Sequence, residues 1–162
     1  MPAEGSDRKA PDSLDIRVVT PTHLPALVAL YQHLNPGDAS VSPEDAEAIL
    51  ERFAAYPGSV VLGGWHDGEL VASCTLVVIP NLTRGGMPYA LIENVVTAAS
   101  RRKNGFGRAL LERAVSIAWE QGSYKVMLLT SSTDPATLAF YRGAGFEQNK
   151  TGFQVRRLPV RP

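Results

Sequence analysis

Between Tyr89 and Gln121 the chain changes its hydrophobic period once, over a handful of residues. Tyr89 to Thr97 is an apolar run broken by one acid, Glu93, and reads as a strand. A polar turn from Ser100 to Asn104 follows. From about Gly105 to Gln121, Leu110, Ala114, Ile117 and Ala118 share one helical face, Arg108, Glu112 and Glu120 lie largely away from it, and Gly122 supplies the stop. A strand that passes straight into an amphipathic helix buries both apolar faces only if the helix folds back onto the sheet. The chain is therefore layered, helix on sheet.

The flanking segments fit that layering. Asp15 to Thr20 reads as a short strand, and Thr22 stands where an N-cap would precede the helical spacing of Leu24, Leu27, Val28, Leu30 and Tyr31. Asn35-Pro36-Gly37 ends that helix. Ser42 caps a second one, with Pro43, Glu44 and Asp45 in its first turn, running to about Tyr56 before Pro57-Gly58. Ser59 to Trp65 and Glu69 to Ile79 flank His66-Asp67-Gly68, a turn that joins antiparallel neighbours. Asn81 to Met87 is a loop. Tyr124 to Thr130 reads as a buried strand, Asp134-Pro135 opens a short helix ending at Gly143 or Gly145, and Phe146 onward and Gly152 to Leu158 read as strands. The expectation is a mixed α/β sheet of about six or seven strands with about four helices. At 162 residues it is one domain, 15–162, behind a flexible N-terminal tail, 1–14.

Composition closes several routes. Sixteen basic and sixteen acidic side chains cancel, so no global field favours a nucleic-acid backbone or an anionic membrane. Cys74 is the only cysteine, which excludes an intramolecular disulfide. His23, His33 and His66 lack ligand spacing, so no metal is expected. Apolar runs such as Leu76 to Ile79 are strand-sized, far short of a membrane span, and the N-terminus has no hydrophobic export segment. The expected compartment is the cytoplasm.

The chemistry concentrates at Gly105-x-Gly107, directly at a helix start. Free N–H groups there point outward, the helix dipole favours an anion, and glycine permits close backbone approach. Arg101, Arg102, Lys103 and Arg108 add positive charge, so a phosphate or pyrophosphate is the matched ligand. Two glycines also make an ordinary tight turn. No Gly-Lys-Ser/Thr follows, which excludes a P-loop, and Leu110 stands where a dinucleotide fingerprint needs its third glycine.

Arg102-x-x-Gly105-x-Gly107, followed by Asp134-x-x-Thr137-x-x-Phe140-Tyr141-x-x-x-Gly145-Phe146, resembles the GNAT superfamily of acyl-CoA-dependent N-acetyltransferases over roughly Ile16 to Arg157. The resemblance implies acetyl-CoA as co-substrate. Its pyrophosphate would lie on the N–H groups of Lys103, Asn104, Gly105, Phe106, Gly107 and Arg108, with Arg102 beside them. The pantetheine arm would pair like an extra strand along Val95, Val96 and Thr97, where the central strand pair splays. The thioester carbonyl would then meet an N–H near Val96. Tyr141 occupies the position of the general acid that protonates the leaving thiolate, and Glu93 that of a base taking the amine proton, directly or through water. On residue chemistry alone, Tyr141 is as readily a packing residue and Glu93 a backbone-bonded or solvated carboxylate. The base reading relies on burial to raise the Glu93 pKa.

Three positions depart from the family pattern: Lys103 replaces a frequent glycine, Asp134 an asparagine that touches the pantetheine arm, and Thr137 an alanine. Asp134 serves equally as an N-cap. Leu91 to Val96, Tyr124-Lys125-Val126 and Gln154-Val155-Arg156 look like the glucosamine-6-phosphate N-acetyltransferase branch, whose members form homodimers. Arg84, Arg156 and Arg157 are candidates for meeting an anionic group. The reading is direct acetyl transfer, in a ternary complex, to a primary amine of a small molecule. A silent CoA-binding module, a peptide or protein amine acetyltransferase and an unrelated phosphate-binding domain remain alternatives.

Overall fold

The computed structural model describes residues 13–158. In chain order these form β1 (Asp15–Val18), a 3-10 turn (Pro21–His23), α1 (Leu24–Tyr31), α2 (Pro43–Ala54), β2 (Val60–His66) and β3 (Glu69–Ile79). Then come β4 (Tyr89–Thr97), α3 (Phe106–Glu120), β5 (Val126–Leu128) and α4 (Pro135–Gly143). The sheet has the order β1-β2-β3-β4-β5, antiparallel except for the β4–β5 pair, which is parallel. The residues divide into two compact units, one ending at Leu128 and one beginning at Leu129. The first holds the sheet and α1 to α3, the second α4.

Local chemistry explains the element ends. Ser42 accepts the Asp45 N–H at 3.1 Å, capping α2 as its sequence suggests. The β2–β3 turn places Asp67 and Gly68 at φ 51° and 79°, the paired left-handed residues of a two-residue hairpin. Leu24, Leu27 and Ala46 of α1 and α2 pack with Val61 and Trp65 of β2. The alternate strand positions Leu62, Cys74, Leu76 and Ile92 point to the opposite sheet face. α3 packs on β2, β3 and β4, and its Leu110, Leu111, Ala114 and Ala118 have no exposed surface.

The structure corrects three expectations. Five strands form among the described residues, not six or seven: from Phe146 to Leu158 the chain joins no ladder. Phe153 and Val155 alternate with polar residues as in a strand, yet they are 93% and 100% exposed, because no neighbouring strand covers them. The first helical region is capped at Thr20 and not Thr22: the Thr20 N–H donates to His23 Nδ1 at 3.0 Å, and a 3-10 turn precedes α1. α2 stops at Ala54, short of Tyr56. The expected tail lies, up to residue 12, outside the described residues.

Leu110→Ala removes side-chain atoms from a site with no exposed surface. It should cost about 2–5 kcal/mol, read as a lower urea midpoint at unchanged m-value.

Candidate active site

The β3–β4 register contains one irregularity. Thr75 stands opposite Glu93 and Ser73 opposite Val96, so Asn94 and Val95 together face Cys74. This is a β-bulge, and Asn94 adopts the left-handed conformation at φ 51°, which asparagine tolerates better than most residues. The extra residue brings Glu93 and Val96 to the same sheet face, that of Thr75 and Ser73. An asparagine in mid-strand was the available signal for it.

On its other side β4 is only partly paired. The ladder with β5 spans Ala90, Leu91 and Ile92, opposite Val126, Met127 and Leu128. From Glu93 to Thr97 no strand among the described residues takes that edge. An extended ligand can therefore hydrogen-bond along Val95, Val96 and Thr97. Glu93 itself is exposed. The burial expected for it is not supplied by the described residues.

The open edge leads directly into the glycine loop. None of the N–H groups from Lys103 to Arg108 meets a protein acceptor among the described residues, and the first helical bond is Ala109 N–H to Gly105 O at 3.1 Å. Lys103 and Gly105 sit at φ 66° and 80°. Lys103 thus holds a left-handed conformation that glycine adopts freely and that costs a residue with a side chain roughly 1–2 kcal/mol. Asn104 Nδ2 donates to Arg101 O at 3.0 Å and stiffens the turn. Phe106 and Gly107 are buried, which seats the first turn of α3 against the core.

The loop cations are largely engaged elsewhere. Arg101 pairs with Glu69 at 3.3 Å and Arg108 with Glu112 at 2.7 Å. Arg102 donates to Thr97 O at 3.3 Å and to His33 O at 3.4 Å. Arg102 thus braces the loop through carbonyls, and only Lys103 lacks such a partner among the described residues. Anion attraction rests mainly on the backbone and the helix dipole.

Tyr141 and Asp134 belong to the second unit. Asp134 accepts the Ala136 N–H at 3.2 Å and caps α4. Gly145, at φ 94°, turns the chain at the end of α4, and the Phe146 N–H returns to Tyr141 O at 3.1 Å. The Tyr141 ring stands edge-on to Phe146, 6.5 Å between centroids, and 5.0 Å from Phe140. The Phe-Tyr and Gly-Phe pairs thereby hold the tyrosine ring from two sides.

A second polar cluster lies toward the other end of β4. Lys125 Nζ sits 5.4 Å from the Tyr89 ring centroid and 5.3 Å from that of Tyr124; Arg84 Cζ is 5.6 Å from Tyr124. Neither cation joins an ion pair among the described residues. Arg84 is held at φ 56° in a loop tied by Asn81, whose Nδ2 donates to Thr83 O and Met87 O, both at 3.1 Å. Tyr89, Leu91 and Glu93 alternate onto one sheet face, which puts this cluster about 13 Å along the strand from Glu93.

Residues 25–146 match the Acetyltransferase (GNAT) family. The chain belongs to that family. It is 31% identical over 137 residues to the glucosamine 6-phosphate N-acetyltransferase of Trypanosoma brucei brucei, covering 85% of this chain and 91% of that one. A probable glucosamine 6-phosphate N-acetyltransferase 2 of Oryza sativa subsp. japonica is 30% identical, over 83% of this chain and 82% of the other. Among solved structures, a putative acetyltransferase from Agrobacterium tumefaciens str. C58 superposes with TM-score 0.83 at 46% identity, over 88% of this chain and 99% of that one. The mixed α/β architecture is thus the GNAT fold, and the chain is an acyl-CoA-dependent acetyltransferase of a family that uses acetyl-CoA. No group of His, Cys, Asp and Glu that could hold a metal, and no helix long and apolar enough to cross a membrane, occurs among the described residues.

Cys74 is fully buried between the sheet and its cover, and burial pushes its thiol up to about 12. The thiolate is the reactive form, so the native protein at neutral pH should resist iodoacetamide. Mass spectrometry should find Cys74 alkylated only after unfolding.

Proposed function

We propose that the chain transfers an acetyl group from acetyl-CoA directly to the primary amine of a small molecule that also carries an anionic group. The observation that carries this is the continuity of the open β4 edge with the acceptor-free N–H run from Lys103 to Arg108. An extended, amide-bearing arm ending in a pyrophosphate matches both halves at once. In this reading Arg102 and Asn104 shape the loop, Val95 to Thr97 align the arm, and an N–H near Val96 polarises the thioester carbonyl.

The amine lone pair attacks the carbonyl carbon, and its proton passes to Glu93, directly or through water. The tetrahedral adduct collapses, the C–S bond breaks, and the CoA sulfur takes a proton from the Tyr141 hydroxyl. Both residues act with substrates bound, and the substrates supply the desolvation that exposed Glu93 lacks alone. With Cys74 buried, no covalent acyl-enzyme is needed.

The acceptor's anion is assigned to Arg84 and Lys125, two cations held on tyrosine rings without a carboxylate partner among the described residues. The two relatives named for glucosamine 6-phosphate support an amine of this type, a cationic nitrogen and a phosphate on one small scaffold. The exposed alternation of Phe153 and Val155 supports a second copy of the chain as its cover, and hence a homodimer; a monomer mass in sedimentation overturns that assignment. The cytoplasm remains the proposed compartment.

Thermal unfolding with CoA, acetyl-CoA, ATP and NAD separately, each at about 100 times Kd, tests the cofactor. CoA and acetyl-CoA should each add about 2.7 kcal/mol, and a response to ATP or NAD alone overturns the reading. Thiol release should then be compared for glucosamine 6-phosphate and glucosamine. The phosphorylated amine should have the lower KM, and equal KM values sink the Arg84–Lys125 assignment. Glu93→Gln and Tyr141→Phe should each lower kcat by about 10²-fold or more while CoA binding persists. Undiminished turnover removes the residue concerned from the mechanism.

A further inference from the structure

His33 lies just beyond the C-terminal end of α1, remote in sequence from the glycine loop. Its ring nevertheless enters that loop's hydrogen-bond scheme. The Ala99 N–H donates to His33 Nδ1 at 3.2 Å, and the Arg102 guanidinium donates to the His33 carbonyl at 3.4 Å. Arg102 in turn holds Thr97 O at the end of β4. The segment entering the acceptor-free N–H run is thus tied to β3 by Ala98 N–H to Val71 O, at 2.8 Å, and to the end of α1 by His33. These ties sit over a cavity of about 400 Å³ whose lining includes Glu69, Arg101 and His33.

We infer that His33 is a positioning residue for the cofactor loop: its unprotonated Nδ1 holds the Ala99 N–H and so fixes the approach to the Lys103–Arg108 backbone that binds the pyrophosphate. This rests on the proposed cofactor reading. An N–H run binds an anion well only if its groups converge before the ligand arrives, since ordering them on binding is a direct loss of affinity. Lys103, held left-handed without being glycine, makes the run more dependent on its anchors.

The arrangement carries its own pH signature. An imidazole can accept at Nδ1 only while neutral; the imidazolium carries protons on both nitrogens and must release Ala99. The charged groups facing His33 are the Arg102 guanidinium at its carbonyl and, across the cavity, Arg101 and Glu69, which pair with each other at 3.3 Å. None of them replaces the lost acceptor for the Ala99 N–H. A proton on Nδ1 and the Ala99 bond exclude one another, so acidification favours release and weakens CoA binding.

The test compares wild type with His33→Phe, which keeps a ring but no acceptor, and His33→Asn, which restores an acceptor that does not titrate. CoA dissociation constants are measured by calorimetry, and acetyl-CoA KM and kcat by thiol release, between roughly pH 8 and pH 5. At the upper pH, His33→Phe should weaken CoA binding about threefold to tenfold, the scale of one hydrogen bond, with the loss in acetyl-CoA KM rather than kcat. His33→Asn should recover most of it and flatten the acid-side fall of wild type. Unchanged CoA affinity in His33→Phe, or the same pH slope in His33→Asn as in wild type, overturns the inference while leaving the acetyltransferase reading intact. Failure of wild type to bind CoA overturns both. Should the variants not fold, nitrogen NMR of wild type decides: the Ala99 amide should shift in step with His33 protonation, and an Ala99 amide indifferent to that titration overturns the clamp.

Discussion

α3 meets the sheet through residues that leave no slack. Leu110, Leu111, Ala114 and Ala118 have no exposed surface, nor do Ala72, Cys74 and Leu76 of β3 or Ala90 of β4. Alanines on both sides of the contact let helix and strands approach closely, and interiors packed to crystal-like density transmit displacement rather than absorb it. The N-terminus of α3 is consequently fixed against the sheet, with the Phe106 ring 4.9 Å from that of His66 at the end of β2. That single seating sets the aim of the N–H groups of Phe106, Gly107 and Arg108, and so the place where an anion can rest.

Against this rigid seat, the site relies on interrupted regularity. β4 loses its β5 partner after Ile92 and gains an extra residue at Asn94–Val95. The first leaves backbone groups available to an extended ligand; the second turns Glu93 and Val96 onto one face. Strand edges carry unpaired N–H and C=O groups, and an extended ligand can pair with them as a further strand would. In the loop the arginines are engaged by carboxylates and carbonyls, and the backbone N–H groups are what remains to face outward.

Legibility in the sequence followed the range of the interactions involved. The Ser42 cap, the Asp67-Gly68 turn, the span of β4 and the body of α3 depend on residues a few positions apart, and each was readable. The Gly105-x-Gly107 turn into the start of α3 was readable for the same reason. Where pattern and partner diverged, reading failed. Phe153 and Val155 alternate like a strand, but a strand exists only with a neighbour to bond, and none lies beside them among the described residues. Thr22 looked like a cap, yet Thr20 and His23 close the turn because their side-chain and backbone atoms meet two residues earlier.

The sequence by itself determined the layered α/β class and the family, through its paired glycine and Phe-Tyr motifs, because these are encoded in local spacing and residue type. Only the tertiary structure decided that Glu93 stands exposed, that Arg101, Arg102 and Arg108 have other partners, that Lys103 is bent into a glycine's conformation, and that His33 reaches Ala99. Each of those facts joins groups far apart in the chain or sets a backbone angle by what surrounds it. Packing and register, rather than residue type, choose such partners.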